Sequence, residues 1–261
     1  MRASIDVLML SATPIPRTLY LALSNLKPIS RIQTPPLGRE SIETKVESFS
    51  WRIIKEAIEH ELARKGQIFF LENRIHKINS VIGELKKLVP SARLAGLHGR
   101  MGEKQIIDSV ENFKEGKTDV LVSTTIIENG IDLPNANTLI VSDATRLGLS
   151  QAHQLRGRVG RRDIKAVVYF MYGAPAESRK APTKSRAKWN NPKKLSVLAE
   201  SRLDALKEFS NLGDGFKIAL RDLELRGAGN ILGRNQSGHI NQIGLNLYCE
   251  MLSQAVEKLK S

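Results

Sequence analysis

Between residues 42 and 172 the chain alternates short, almost wholly apolar runs with longer amphipathic ones, and few folds accommodate that pattern. The runs Q-I-F-F-L at 67–71, D-V-L-V-S at 119–123 and A-V-V-Y-F-M-Y at 166–172 lack a polar residue at every second position. A strand with one wet face needs that alternation, whereas a strand covered on both faces does not. The intervening stretches have helical spacing instead. Ile54, Ala57, Ile58 and Leu62 fall on one side of 51–65, and Ile75, Ile78, Ile82, Leu85 and Leu88 on one side of 75–89. In 103–114 the set expected to face inward is Ile106, Ile107, Val110 and Phe113. Further strands are predicted at 42–49, 92–97 and 138–142, and a short helix at 150–156. Apolar strands separated by helices of this length predict an α/β fold, a doubly wound parallel sheet with helices on both faces. Ligands of such sheets bind beyond the carboxyl ends of the strands. His98-Gly99, Thr124-Thr125 and the arginine-rich stretch 151–163 are all expected near that edge.

The flanking segments differ. Residues 6–10 (D-V-L-M-L) predict a buried strand delivering the turn Ser11-Ala12-Thr13-Pro14, with a helix over 17–26 and a strand over 29–33. Pro35-Pro36-Leu37-Gly38 marks a linker, since proline and glycine both interrupt regular structure. Residues 173–194 carry three prolines and no aliphatic side chain larger than alanine, and predict a flexible loop. Helices return at 195–211 and 216–225, and a last amphipathic helix is expected over 243–259 with Leu247, Met251, Ala255 and Leu259 in line. The organisation expected is therefore 1–35, 36–173, 174–194 and 195–261.

Net charge narrows the partner. The chain carries +13, which favours a polyanion and most simply nucleic acid. Residues 173–194 hold seven basic residues against one acid, so +6 of that total lies in the predicted loop. The one cysteine, Cys249, excludes an intramolecular disulfide. No apolar run is long enough to span a bilayer and the start lacks the pattern of a signal peptide, so cytoplasmic residence with no membrane partner is expected. No H-x-x-x-H, C-x-x-C or paired carboxylates argue for a metal, and none is expected.

The polar clusters fit phosphate chemistry. Residues 154–161 read Q-L-R-G-R-V-G-R. Guanidinium presents a fixed fork of donors matching phosphate oxygens in pairs, and glycine lets backbone approach a ligand closely. Thr124 and Thr125 follow a strand, where short donors suit the oxygens of a nucleic-acid backbone. Asp132 either accepts from a ribose hydroxyl, holds an arginine, or caps the loop before Pro134, and Glu128 is a candidate ion-pair partner of the arginines. His98-Gly99-Arg100-Met101 stands at a strand-to-helix junction, where amides are free. There is no G-x-x-x-x-G-K-[ST] phosphate loop, so the arginines serve a nucleotide whose main cradle lies elsewhere.

These motifs resemble those of superfamily 2 helicases. S-A-T-P-I-P-R-T-L at 11–19 is similar to motif III, F-F-L-E-N-R at 69–74 to motif IV, T-T-I-I-E-N-G-I-D at 124–132 to motif V and Q-L-R-G-R-V-G-R to motif VI. D-L-E-L-R-G-A-G-N-I-L-G-R-N-Q-S-G at 222–238 resembles the translocation motif of the fork-reversal helicase RecG and the bacterial transcription-repair coupling factors. E-F-S-N-L-G-D-G-F at 208–216 and G-H-I-N-Q-I-G-L-N-L-Y-C-E-M-L at 238–252 favour the latter. The resemblance implies the end of a first RecA-like lobe at 1–35, a second RecA-like lobe at 36–173, a basic insertion at 174–194 and a helical translocation-motif module at 195–261. It implies that Arg158 and Arg161 reach the γ-phosphate of ATP held with Mg²⁺ on a partner lobe, supported by Gly130, Asp132 and Glu128. It implies that Asn73, Arg74, His98, Gly99, Arg100, Thr124 and Thr125 grip DNA. Ser11, Thr13, Gln154, Arg226 and Gln236 would couple nucleotide state to a step along the duplex. The implied partners are double-stranded DNA, the first RecA-like lobe, and RNA polymerase and excision-repair proteins through regions outside this chain. Without the lysine loop and acidic pair of the first lobe, the chain alone is expected to hydrolyse no ATP. Fork reversal, or DNA binding without catalysis, are the alternatives.

Overall fold

The computed structural model describes residues 42–125, 136–160, 164–173, 195–209 and 214–226, with isolated positions at 8, 10, 30, 32, 251, 254 and 258. Contacts divide the chain into two compact units, Thr34–Leu212 and Met1–Gln33 together with Gly213–Ser261. The first unit is built on six parallel strands: β1 (Glu43–Ser48), β2 (Gln67–Leu71), β3 (Leu94–Leu97), β4 (Val120–Ser123), β5 (Ala136–Val141) and β6 (Val167–Tyr172). Their order across the sheet is β1-β6-β5-β2-β4-β3. Helices α1 (Trp51–Ala63), α2 (Ile75–Leu88), α3 (Glu103–Lys114), α4 (Leu149–Arg156) and α5 (Val197–Glu208) accompany them.

The pleat explains why the strand sequences are apolar at both parities. Ile68 pairs with Val120 and Thr138, and Phe70 with Val122 and Ile140, so these residues share one face. That face packs against Ile54, Ala57 and Ile58 of α1 and Ile78, Val81 and Leu85 of α2. The opposite parity places Phe69, Leu71, Leu121, Leu139, Val141, Val168 and Phe170 on the other face, and all are buried. Helix α5 packs on β1 and on α4 within this unit. Its amino end is capped by Ser196, whose Oγ accepts from the Ala199 N–H at 3.2 Å.

Three expectations are corrected. Ile107 is 48% exposed, because only Val110 and Phe113 of α3 reach the interior. In α1 Leu62 packs against the core with Ile54, Ala57 and Ile58 as expected, and Glu61 beside it is buried too, with no solvent exposure. Leu8, Leu10 and Ile32, expected in strands, lie outside any strand and are more than four-fifths exposed, while the other residues of 6–10 and 29–33 except Ser30 lie outside the described residues. Met251 is exposed as well, not turned to an interior stripe.

Glu61 is buried at the amino edge of the sheet. Thr138 Oγ1 donates to its Oε2 at 2.6 Å, Asn137 Nδ2 to its Oε1 at 3.2 Å, and Arg64 Nε to its Oε2 at 3.0 Å. Arg64 Nη1 also donates to the Lys165 carbonyl ahead of β6, at 2.9 Å. A buried carboxylate is tolerable only when paired and hydrogen-bonded, and here those bonds tie the end of α1 to β5 and β6. Gly66 makes this possible: a Cβ there would lie 1.6 Å from Glu61 Oε1.

The second unit is described mainly by helix α6 (Gly215–Arg226), whose Ile218 N–H donates to the Asp214 carbonyl at 2.9 Å. Lys217 Nζ pairs with Asp214 Oδ1 at 3.1 Å, and Ile218 and Ala219 are buried. Among the described residues no helix is long and apolar enough to cross a membrane.

Candidate nucleic-acid and nucleotide sites

All strands run the same way, so the residues that leave their carboxyl ends line one edge. In sheet order that edge carries Asp143 after β5, Glu72 to Arg74 after β2, Thr124 after β4 and His98 after β3. Helices α2 and α3 begin there, so their amino termini, with free amides and positive dipole ends, face the same side.

Local bonds fix these loops. The Thr124 N–H donates to the Leu97 carbonyl at 3.3 Å, setting Thr124 beside His98. His98 Nδ1 accepts from the Arg100 N–H at 3.3 Å, and Met101 N–H donates to the His98 carbonyl at 3.1 Å. His98 thus shapes the turn that leaves Gly99 and Arg100 exposed, and Thr124 and Thr125 are half-buried behind it. Arg74 is half-buried at the start of α2. Among the described residues, Arg74 and Arg100 have no acidic partner, whereas Arg146 is paired with Asp143 at 2.9 Å and Arg93 is clasped by Asp119.

Asn73 departs from the expected DNA contact. Its Nδ2 donates to the Asp143 carbonyl at 3.2 Å and its Oδ1 is buried without a partner, so the amide is turned inward. It joins the exit of β2 to the exit of β5.

The arginine stretch lies elsewhere. Helix α4 starts beyond the carboxyl end of β5 and runs back antiparallel to the strands, about 12 Å over eight residues. It delivers Gly160 to the amino edge, where the Gly160 N–H donates to the carbonyl of Ala136, the first residue of β5, at 3.3 Å. The expectation that the arginine stretch shares the edge of His98 and Thr124 fails for Arg158, because a crossover helix carries its carboxyl end to the opposite edge. Gly160 has φ +73°, and a Cβ there would meet Ala166 Cβ at 2.6 Å, so the turn depends on glycine. Val159 is fully buried beside it, and Arg158 is half-buried.

Arg156, not singled out from sequence, has a structural role. It is 5% exposed, its Nη1 donates to the Phe209 carbonyl at 2.7 Å, and its Nη2 contacts His153 Nδ1 at 2.9 Å. It caps the carboxyl end of α5, and nothing in the motif's sequence distinguishes the arginine that turns inward. Gln154 is exposed on α4. Ser11, Thr13, Glu128, Gly130, Asp132, Arg161 and Gln236 lie outside the described residues, and Arg226 is described only as the last helical residue of α6. Among the described residues no group of His, Cys, Asp and Glu could hold a metal ion.

Residues 51–163 match the helicase conserved C-terminal domain. The chain is 48% identical over 99% of its length to the transcription-repair-coupling factor of Bacillus subtilis and 46% identical over 99% to that of Staphylococcus haemolyticus. It spans 21%, about a fifth, of the length of each. Among solved structures, RecG bound to a three-way DNA junction is similar over 97% of this chain and 32% of that one, with 30% identity and a TM-score of 0.63.

Proposed function

We propose that this chain, which matches the helicase conserved C-terminal domain over residues 51–163 and is similar over 99% of its length to a segment of the bacterial transcription-repair-coupling factors, is the C-terminal motor segment of an ATP-driven double-stranded DNA translocase. The observation that carries this is the carboxyl edge of the sheet, which bears Arg74, Arg100, His98, Thr124 and Thr125, with no acidic partner for the two guanidiniums among the described residues. Fixed cations and short donors on adjacent strand ends suit consecutive phosphates of one DNA strand.

Nucleotide sensing belongs to the arginine stretch. ATP with Mg²⁺, bound mainly by a facing lobe, supplies the phosphoryl group whose hydrolysis drives the motor. The donor set here fits that division: a guanidinium on a glycine turn. Arg158 and Arg161 would stabilise charge at the γ-phosphate, with Gly130 and Asp132 supporting ribose contact and arginine placement and Glu128 pairing with the arginine stretch. Ser11, Thr13, Gln154, Arg226 and Gln236 relay nucleotide state to the translocation segment. Alone, the chain hydrolyses no ATP. In the whole protein the motor removes stalled RNA polymerase and hands the site to excision-repair proteins through regions outside this chain. The likeness to RecG is the specific observation behind the second reading, fork reversal, and the higher identity to coupling factors favours the first.

The test uses the full-length protein. R158A is expected to lower DNA-stimulated ATP hydrolysis by about 10³-fold or more while leaving duplex affinity in place. Hydrolysis within two-fold of wild type would contradict the assignment. Displacement of a stalled RNA polymerase, but not regression of a model fork, separates the two readings.

A further inference from the structure

Glu72 is the first residue beyond the central strand β2, is 7% exposed, and has no ion pair among the described residues. Its carboxylate is held by neutral donors: Oε1 accepts the Arg74 N–H at 3.0 Å and Oε2 accepts Ser142 Oγ at 3.0 Å. Its own N–H donates to the Ser123 carbonyl at 2.9 Å, and the Ser142 N–H donates to the Leu71 carbonyl at 3.0 Å. The side chain therefore sits where β4, β2 and β5 end, with Asn73 adding its bond to Asp143 alongside. The residue it restrains, Arg74, is the N-cap of α2, in extended conformation and without a side-chain cap of its own.

We propose that Glu72 is a positioning residue for nucleic acid: its buried carboxylate, bridging the Arg74 amide and the Ser142 hydroxyl, sets the backbone from which Arg74 reaches a DNA phosphate. The inference rests on the reading of Arg74 as a phosphate contact. A buried carboxylate is expensive to keep unless each oxygen is satisfied. Here both oxygens are used to fix one short loop at the edge assigned to DNA. The loop thereby gains a rigid exit for a long flexible side chain. The role is one of shape, not charge. Glutamine can accept from the Arg74 amide with its oxygen and donate to Ser142 with its nitrogen, because a hydroxyl both donates and accepts.

Duplex affinity of the full-length protein, measured by fluorescence anisotropy against salt, tests this. E72A is expected to weaken binding about ten-fold, the equivalent of one or two lost hydrogen bonds. It should also lower the slope of log affinity against log salt by about 0.9, one phosphate contact. E72Q should bind no more weakly than wild type, and S142A, which removes one donor, should weaken binding roughly three-fold. In an R74A background, E72A should have no further effect. A ten-fold loss persisting in that background, or an unchanged slope in both E72A and S142A, overturns the role of Glu72 alone. If E72A does not fold, S142A with wild-type affinity and slope has the same consequence. Wild-type affinity in R74A itself overturns the phosphate reading of Arg74 and the inference with it.

Discussion

The two edges of the one sheet use the same side chains for opposite ends. At the amino edge, charge is neutralised internally. Glu61 is enclosed by Arg64, Thr138 and Asn137; Arg93 holds Asp119 through both its backbone N–H and its guanidinium; Lys165 reaches Glu43 at 2.8 Å. At the carboxyl edge, Arg74 and Arg100 have no such partners among the described residues, and the internal bonds go to loop backbone instead. An arginine beside an acid is an architectural element, and an arginine presented by a braced loop is available to a polyanion. Net charge alone does not separate the two; sheet direction and neighbours do.

The sharpest way to break this contrast is at Glu61. E61A leaves Arg64, Thr138 and Asn137 without their buried acceptor and is expected to destabilise the fold by roughly 3–5 kcal/mol. Urea unfolding measures this, and the DNA affinity of the folded fraction should not change. G160A comes next. A left-handed backbone and a clash with Ala166 are expected to lower stability by about 1–3 kcal/mol and to disturb nucleotide turnover more than DNA affinity. D119N should have the smallest effect. Burial raises the Asp119 pKa, but the hydrogen bonds and charge of Arg93 outweigh it, so the carboxyl titrates below its ordinary value. Because the folded value is depressed, the pair's stabilisation is present above the ordinary carboxylate pKa and is lost as pH falls through the folded one. The urea midpoint of wild type should therefore fall more steeply than that of D119N on acidification below that range. Parallel pH profiles would show that the clasp contributes nothing.

The sheet was legible because strands buried on both faces cannot hide their composition. Q-I-F-F-L became β2 at the predicted residues, and α3 was bounded correctly. The errors share one origin: periodicity gives a helix face without saying what covers it. Ile107 lies on the apolar stripe of α3 yet is exposed, and Glu61 lies on that of α1 and is buried, because Thr138 and Asn137 are 76 residues or more away in sequence. Of the site, the residues following strands were placed by the alternation itself. The direction of α4 was implicit in the same alternation, since a crossover must return to the amino edge, but the motif's proximity to phosphate chemistry pointed the other way. That the Asn73 amide turns inward depends on a bond to Asp143, which no local pattern reveals.

The central claim is that DNA is gripped at the carboxyl edge and nucleotide is sensed at the amino edge. The most direct measurement is the salt dependence of duplex affinity in full-length protein carrying R74A with R100A, set beside R158A. The expected result is a slope reduced by about two for the first pair, roughly 0.9 for each lost phosphate contact, and an unchanged slope for R158A. Equal slopes in all three proteins, or a reduction only in R158A, would contradict it.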